Sequence, residues 1–470
     1  MDAATLTPEQ KKALLSLDPD HEGNAQSVLV IYPGKFHHNV THGWMKWNGK
    51  YWDTEAGEAA AERAVTNVLK IRRVVAAEFD KSEIIKASRG WRSNVVGTKD
   101  QLKKCKELEI SIDDFDNHPD LINCQNGVLN LATGELSPHD SKHKFTYCLP
   151  VDYDPTAISE EWETFLYSAL CDNEEMVKYL QMAVGYSLTG HTREEAMFYI
   201  FGPSRSGKGT FTETIISLMG WPMSVEVDFE TFTANRYGDT NNFDLAPLKP
   251  CRFVAASESN RYGSLNPAKI KQLTGGNYIR CSFKRKDHFS YRPQYKIWLS
   301  SNHPVNIDAD DDAAWGRVRV INFPNSHLGE EDKGLKERLR QPANLRGILA
   351  WAVRGAQMWH EQSLPTPQAV KDETNRHRGE LDYIQAYIAE RCVAIETASV
   401  SNSDLYTDYR QWCEIEGYKP KFQRQFAMSL KVKGFEAKPK RVNGHVARYV
   451  DGLGLLTNSP IFTHSQNGKR

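Results

Sequence analysis

The stretch Phe198-Tyr199-Ile200-Phe201-Gly202-Pro203-Ser204-Arg205-Ser206-Gly207-Lys208-Gly209-Thr210-Phe211 decides how the rest of the chain is read. Its first four residues are aromatic or β-branched, which predicts a buried strand. The glycines that follow predict a tight loop, and Phe211 to Met219 predicts a helix. Strand, glycine loop and helix in that order form a candidate phosphate-binding loop running from Gly202 to Phe211. Backbone N–H groups and the helix N-terminus would cradle the phosphates of ATP, and Lys208 would neutralise the β/γ oxygens. The competing reading is a glycine turn without a ligand. One position departs from the usual pattern. Gly209 follows the lysine directly, where a hydroxyl normally holds Mg²⁺. Either Thr210 takes that role with a shifted geometry, or the ion is held mainly through water.

Such a loop is shared by kinases and motors, so the later strands discriminate. Arg252 to Ser257 is an apolar strand ending on Glu258, a carboxylate that could orient metal or water opposite the γ-phosphate. Tyr295 to Ser301 is a strand ending on Asn302, which could position that water or simply form a turn before His303-Pro304. Arg317 and Arg319, two apart on a strand, share one face and could reach a γ-phosphate, in ring ATPases across a subunit interface. Between Arg280 and Lys296, six basic residues and Asp287 are interleaved with Phe283, His288, Phe289, Tyr291 and Tyr295. Cations beside rings predict a footprint for single-stranded nucleic acid, against the alternative of a solvated hairpin whose aromatics face the core. Asp308, Asp310, Asp311 and Asp312 lack the central glycine and terminal Glu of a calcium loop and read as a solvated turn.

Together GPSRSGKGT, RFVAASES, KIKQLTGGNYIRC, YKIWLSSNHPVNI and WGRVRVINF resemble the superfamily 3 helicases, and within them the ATPase of phage and plasmid primase–helicases and their poxviral relatives. The resemblance reaches upstream to NCQNGVLNLATGELSPHDSKHKFTYCLPVDYDP and downstream to GILAWAVRGAQMW, covering roughly residues 110–390. It implies an α/β AAA+ core in a homo-hexameric ring that hydrolyses ATP with Mg²⁺ at subunit interfaces and draws one DNA strand through its centre, 3′ to 5′. Carried over, Lys208 and Thr210 grip phosphates and Mg²⁺, Glu258 is the catalytic acid and a metal contact, and Asn302 is the sensor. Arg317 becomes the finger acting in trans with Arg319 supporting it or exchanging roles. Lys284, Arg285 and Lys286 become the pore hairpin beside His288, and Lys271 a second interface cation near the DNA. Relatives often carry an N-terminal primase. The first 110 residues are few for one and show no cluster of paired acids, so a separate primase or initiator is expected as partner.

From Lys419 to Arg448 nine residues are basic and only Glu436 is acidic. Three helices followed by a hairpin turning at Asn443-Gly444 predict a winged helix on duplex DNA, with Lys421, Arg424, Lys440 and Arg441 as contacts, or alternatively a basic face docked on the ATPase. The expected division is an N-terminal α+β domain (1–155), a helical collar (156–190), the ATPase core (191–345), a helical lid or linker (346–379), the winged helix (380–456) and a flexible tail (457–470). With 59 Lys+Arg against 60 Asp+Glu, bulk positive charge is excluded; the positive charge lies instead in the two short basic stretches. The eight cysteines are never spaced C-x-x-C and read as reduced thiols. No signal sequence or membrane-length apolar run is present, and a cytoplasmic location is expected. The rivals are a P-loop nucleotide or small-molecule kinase, and an origin-binding or loader protein that uses ATP only as a switch.

Overall fold

Successive side chains of Met197-Phe198-Tyr199-Ile200 point to opposite faces of a strand, and this period of two organises the centre of the molecule. The computed structural model describes residues 3–39, 42–233, 242–257, 264–282, 288–442 and 445–456. Its central sheet has five parallel strands in the order Val318–Asn322, Met197–Phe201, Lys296–Ser301, Phe253–Ser257 and Ser224–Glu226. On one face Phe198, Ile200, Phe253, Trp298 and Ile321 pack against the helices Glu160–Ala169, Glu174–Leu188, Lys208–Met219 and Pro342–Gln362. On the other, Met197, Tyr199, Val254, Ile297, Leu299 and Val320 pack against Ile270 and Leu273 of the helix Pro267–Thr274. A parallel sheet covered on both faces explains the nearly unbroken apolar runs of its strands.

The helices Glu174–Leu188 and Pro342–Gln362 cross in close contact, because neither carries a side chain at the crossing. A Cβ on Gly185 would lie 2.1 Å from the Ala356 nitrogen, and one on Gly355 would lie 2.0 Å from the Gln181 carbonyl oxygen. The sequence reading assigns this helix from residue 346 onward to a lid or linker; it packs in the core, with Ile348, Leu349, Ala352, Val353 and Ala356 buried.

The N-terminal region is more helical than the sequence reading predicts. Besides the small sheet Phe36–Asn39, Gly43–Trp47, Trp52–Asp53 and the long helix Gly57–Glu78, it holds the helices Pro8–Ser16, His21–Ile31, Ser82–Ala87 and Arg92–Leu102. The first of these had a legible start signal. Thr7 accepts from the Gln10 N–H while the Gln10 side chain accepts from the Thr7 N–H, with Pro8 at the first helical position. The hairpin Leu121–Cys124/Gly127–Asn130 and the stretch to Tyr153 share their core with the collar and the central sheet. Packing therefore divides before Leu121 rather than at residue 155.

After the connector helix Gln368–Glu380, the C-terminal region has the three expected helices, Tyr383–Arg391, Asn402–Glu416 and Gln423–Val432. It also has a strand the sequence reading missed, Cys392–Ser401, which pairs antiparallel with His445–Leu455 in a three-stranded sheet with Ala437–Val442. Its alternation of Val393, Ile395 and Thr397 was the available signal. Tyr387, Tyr409, Trp412, Phe426 and Leu430 form the core of this unit. Among the described residues no helix is long and apolar enough to cross a membrane. The tail from residue 457 and the turn at Asn443-Gly444 lie outside the described residues.

Candidate nucleotide site

The strand Met197–Phe201 ends in a loop with three left-handed or mirror-region positions: Gly202 (φ 154°), Arg205 (φ 63°) and Gly207 (φ 90°). Two of them admit only glycine on steric grounds as well. A Cβ on Gly202 would stand 2.2 Å from the Phe323 carbonyl oxygen, and one on Gly207 would stand 2.8 Å from the Phe165 ring. The helix Lys208–Met219 starts immediately afterwards, and its buried Phe211 stacks on Trp162 of the collar at 5.8 Å. The Lys208 ammonium closes the loop on itself, donating to the carbonyls of Gly202 (2.8 Å) and Pro203 (2.7 Å) and to the Ser206 hydroxyl (3.3 Å). Burial pushes its pKa down to about 8. Thr210 is half-buried, and Arg205 pairs with Glu331 at 3.4 Å.

Parallel register places several predicted residues at the same sheet edge. Ser301 pairs with Phe201, so Asn302 emerges beside the loop, where its amide donates to the Ser204 hydroxyl at 3.4 Å. Ser300 and Ser257 are hydrogen-bonded at 3.1 Å, so the strand leading to Glu258 ends at this edge too; Glu258 itself lies outside the described residues. The exposed Glu226, at the end of the edge strand and 3.4 Å from the Ser257 hydroxyl, is a carboxylate the sequence reading missed. Also missed was the segment after Phe323. It wraps the loop through the Ser326 hydroxyl, which donates to the Ser204 carbonyl (2.8 Å), and the His327 N–H, which donates to the Arg205 carbonyl (3.1 Å). Arg317 and Arg319 lie at the opposite edge. Val318 pairs with Met197 and Asn322 with Phe201, and five residues at about 3.3 Å each separate Arg317 from the loop end of its neighbour. Arg317 donates to Glu195 (2.6 Å) and to the Ala313 carbonyl (2.8 Å); Arg319 donates to the carbonyls of Gly316 (2.7 Å) and Val318 (3.1 Å).

The basic hairpin needs correction. Ile279–Cys281 pairs with Phe289–Tyr291 as expected, with Arg280, His288 and Arg292 exposed. Lys296, Tyr291 and Tyr295 belong to the interior. The Lys296 ammonium is 2% exposed and donates to the carbonyls of Thr189, His191 and Gln294, so it cannot meet DNA. Phe283, Lys284, Arg285, Lys286 and Asp287 lie outside the described residues. Lys271 is paired with Asp311 at 3.0 Å.

The acidic turn is not simply solvated. Lys421 reaches Asp308 (2.9 Å) and Asp310 (3.0 Å), and Lys433 reaches Asp382 (2.5 Å) and Asp310 (3.7 Å). Two basic side chains of the C-terminal unit are thus clasped to the central domain, and Lys421, predicted to contact DNA, is only 12% exposed. Lys440 is paired with Asp451 at 3.1 Å, whereas Arg424 and Arg441 are exposed. Removing one member of a half-buried charged cluster leaves the others poorly compensated. Asp310→Asn is therefore expected to lower the unfolding free energy by about 1–3 kcal/mol in chemical denaturation. Asp312→Asn, at a side chain 79% exposed and paired among the described residues with Arg378, should change it by less than about 1 kcal/mol. Equal effects would remove the clasp.

Three families match this chain: D5 N terminal like over residues 30–171, a family of unknown function over residues 200–318, and poxvirus D5 protein-like over residues 380–451. The two D5 matches flank the central sheet in the order the resemblance implies. The chain is similar to poxvirus D5-type proteins on both sides of its central sheet. The chain is 24% identical over 341 residues to a protein of Acanthamoeba polyphaga mimivirus named "Putative helicase L207/L206", covering 66% of this chain and 35% of that one. It is 23% identical over 269 residues to "Putative helicase 022R" of Frog virus 3, covering 53% and 27%. It thus spans about a third or less of the length of these curated relatives. A solved structure of the NrS-1 C-terminal region in an apo form overlaps 66% of this chain and 80% of its own, with 12% identity and a TM-score of 0.42.

Proposed function

We propose that this chain is an ATP-dependent replicative DNA helicase of a virus, phage, plasmid or similar element, working as a homo-hexameric ring on single-stranded and forked DNA, 3′ to 5′. The observation that carries the reading is the division of labour between sheet edges. The phosphate loop and Asn302 share one edge, and Arg317 stands at the other, out of reach of its own loop. A site that must borrow its arginine from a neighbour suits a ring with nucleotide at subunit interfaces.

The strand order supports an AAA+ core, since the Asn302 strand is inserted between the phosphate-loop strand and the strand leading to Glu258. Lys208 binds the β/γ oxygens, Glu258 orients the attacking water and Asn302 holds it toward the γ-phosphate. Mg²⁺, when bound, neutralises the charge that builds on those oxygens. The three helices and three-stranded sheet of residues 383–455, with Arg424 and Arg441 exposed, support a winged helix on duplex DNA. A separate primase or initiator is the expected partner.

The test is particle symmetry by electron microscopy with ATP and single-stranded DNA, alongside ATPase measured with and without that DNA. Six-membered rings with DNA-stimulated turnover are expected. A monomer with DNA-independent turnover of a small phosphate acceptor would replace the reading with a kinase.

A further inference from the structure

Position 209 follows the phosphate-loop lysine, where a metal-holding hydroxyl normally stands, and here it is an exposed glycine. Backbone crowding does not require it. A Cβ built there would meet only the Glu213 Oε1 at 3.6 Å and the Lys336 Nζ at 3.7 Å, both ordinary contact distances. These two groups define what faces the loop from the helix side.

Helix geometry explains why Glu213 arrives there. At about 100° per residue, position 213 lies about 40° around the helix from 209, whereas Thr210 lies about 100° away. Long helical side chains lean toward the N-terminus, so a carboxylate one turn along is carried back to the level of residue 209. Once there it is held by two cations. Its Oε1 accepts from Lys336 at 2.5 Å and its Oε2 from Arg340 at 2.6 Å. Lys336 belongs to the short helix Leu335–Leu339, which follows the segment bonded to Ser204 and Arg205. An ammonium therefore stands beside the place of the absent hydroxyl, neutralised by a carboxylate. That is a cation position with a lysine as stand-in.

We propose that Glu213 supplies the protein oxygen on the metal side of this phosphate loop, holding the hydrated Mg²⁺ of Mg–ATP in place of the missing hydroxyl, and that Lys336 occupies that position until the metal enters. Mg²⁺ retains several waters and is commonly held by one or two carboxylates together with substrate phosphates, which fits a single carboxylate beside the loop. The proposal rests on the nucleotide-site reading and assigns to Glu213 the role left open for Thr210.

The experiment is a Mg²⁺ titration of the full chain with a fluorescent ATP analogue, read as the Mg²⁺ concentration at half-effect, with analogue affinity in EDTA as reference. Glu213→Gln should raise that midpoint by about tenfold or more, taken relative to the variant's own affinity in EDTA. Lys336→Ala, which removes the competing ammonium, should lower the midpoint, and this keeps the test informative if the Gln variant folds poorly. A wild-type midpoint in Glu213→Gln, an unchanged or raised midpoint in Lys336→Ala, or a loss confined to Thr210→Val would each overturn the assignment. Wild-type protein that binds no analogue in either buffer would instead overturn the nucleotide site itself.

Discussion

Lys208→Ala is expected to reduce ATP turnover by about 10²–10³-fold or more, since on the proposed reading it removes the buried loop cation that meets the β/γ oxygens. The Lys208 ammonium stands at the loop, donating to two carbonyls and a hydroxyl, and the residue is 9% exposed. Arriving phosphates exchange those neutral acceptors for charged ones, where hydrogen bonds are roughly twice as strong. The same desolvation gives the prediction a pH signature. Burial lowers the lysine to about 8, whereas bound phosphates favour its charged form and raise it. Above about pH 8, binding must take up a proton, so nucleotide affinity should fall as pH rises through that value. Lys208→Ala should bind weakly at every pH and lack this alkaline limb. Fluorescent-analogue titrations from pH 6.5 to 9.5, with steady-state ATPase, check both parts. Wild-type turnover in the variant would remove the assignment of this loop to phosphate.

The loop, its strand and its helix were legible because local rules agree there: a short apolar strand, glycines at positive φ, and a lysine opening a helix. Asn302 and the strand preceding Glu258 could be placed for the same reason, since parallel strands ending at one edge bring their following residues together. What failed was the reading of charge. Lys296 sits in a run of basic residues yet is buried on three carbonyls, and Lys421 sits in another yet is clasped to Asp308 and Asp310. A basic stretch gives the count of cations but not their partners, four of which (Thr189, His191, Asp308 and Asp310) come from more than 100 residues away. Glu213 was missed for a related reason. Its importance depends on Lys336 and Arg340, which only the fold brings to the phosphate-loop helix. The N-terminal helices were missed because a single capping pair, Thr7 and Gln10, was outweighed by the conspicuous tryptophans downstream.

Arg317→Ala is expected to reduce ATPase by at least about 10³-fold while leaving analogue binding within about twofold of wild type. The argument is positional. The register of the arginine strand puts Arg317 at the N-terminal edge of the sheet and the phosphate loop at the C-terminal edge. No rotamer of one side chain spans that separation, so any contact with a γ-phosphate must be made to another copy. Its present partners fit a side chain held in readiness: Glu195 at 2.6 Å and the Ala313 carbonyl at 2.8 Å keep the guanidinium at the surface, with the side chain 21% exposed. Exchange of Glu195 for phosphate replaces one anion by another and costs little desolvation. Mixing separates the alternatives. Lys208→Ala protein retains Arg317, and Arg317→Ala protein retains an intact loop, so mixed assemblies contain some interfaces with both groups. Mixtures should therefore recover ATPase that neither variant shows alone, with a maximum near equal proportions. If the mixture stays as inactive as its components under conditions where wild type assembles, Arg317 does not act in trans. Arg319→Ala assayed alone shows whether the neighbouring arginine shares the role; wild-type ATPase in that variant would confine the finger to Arg317.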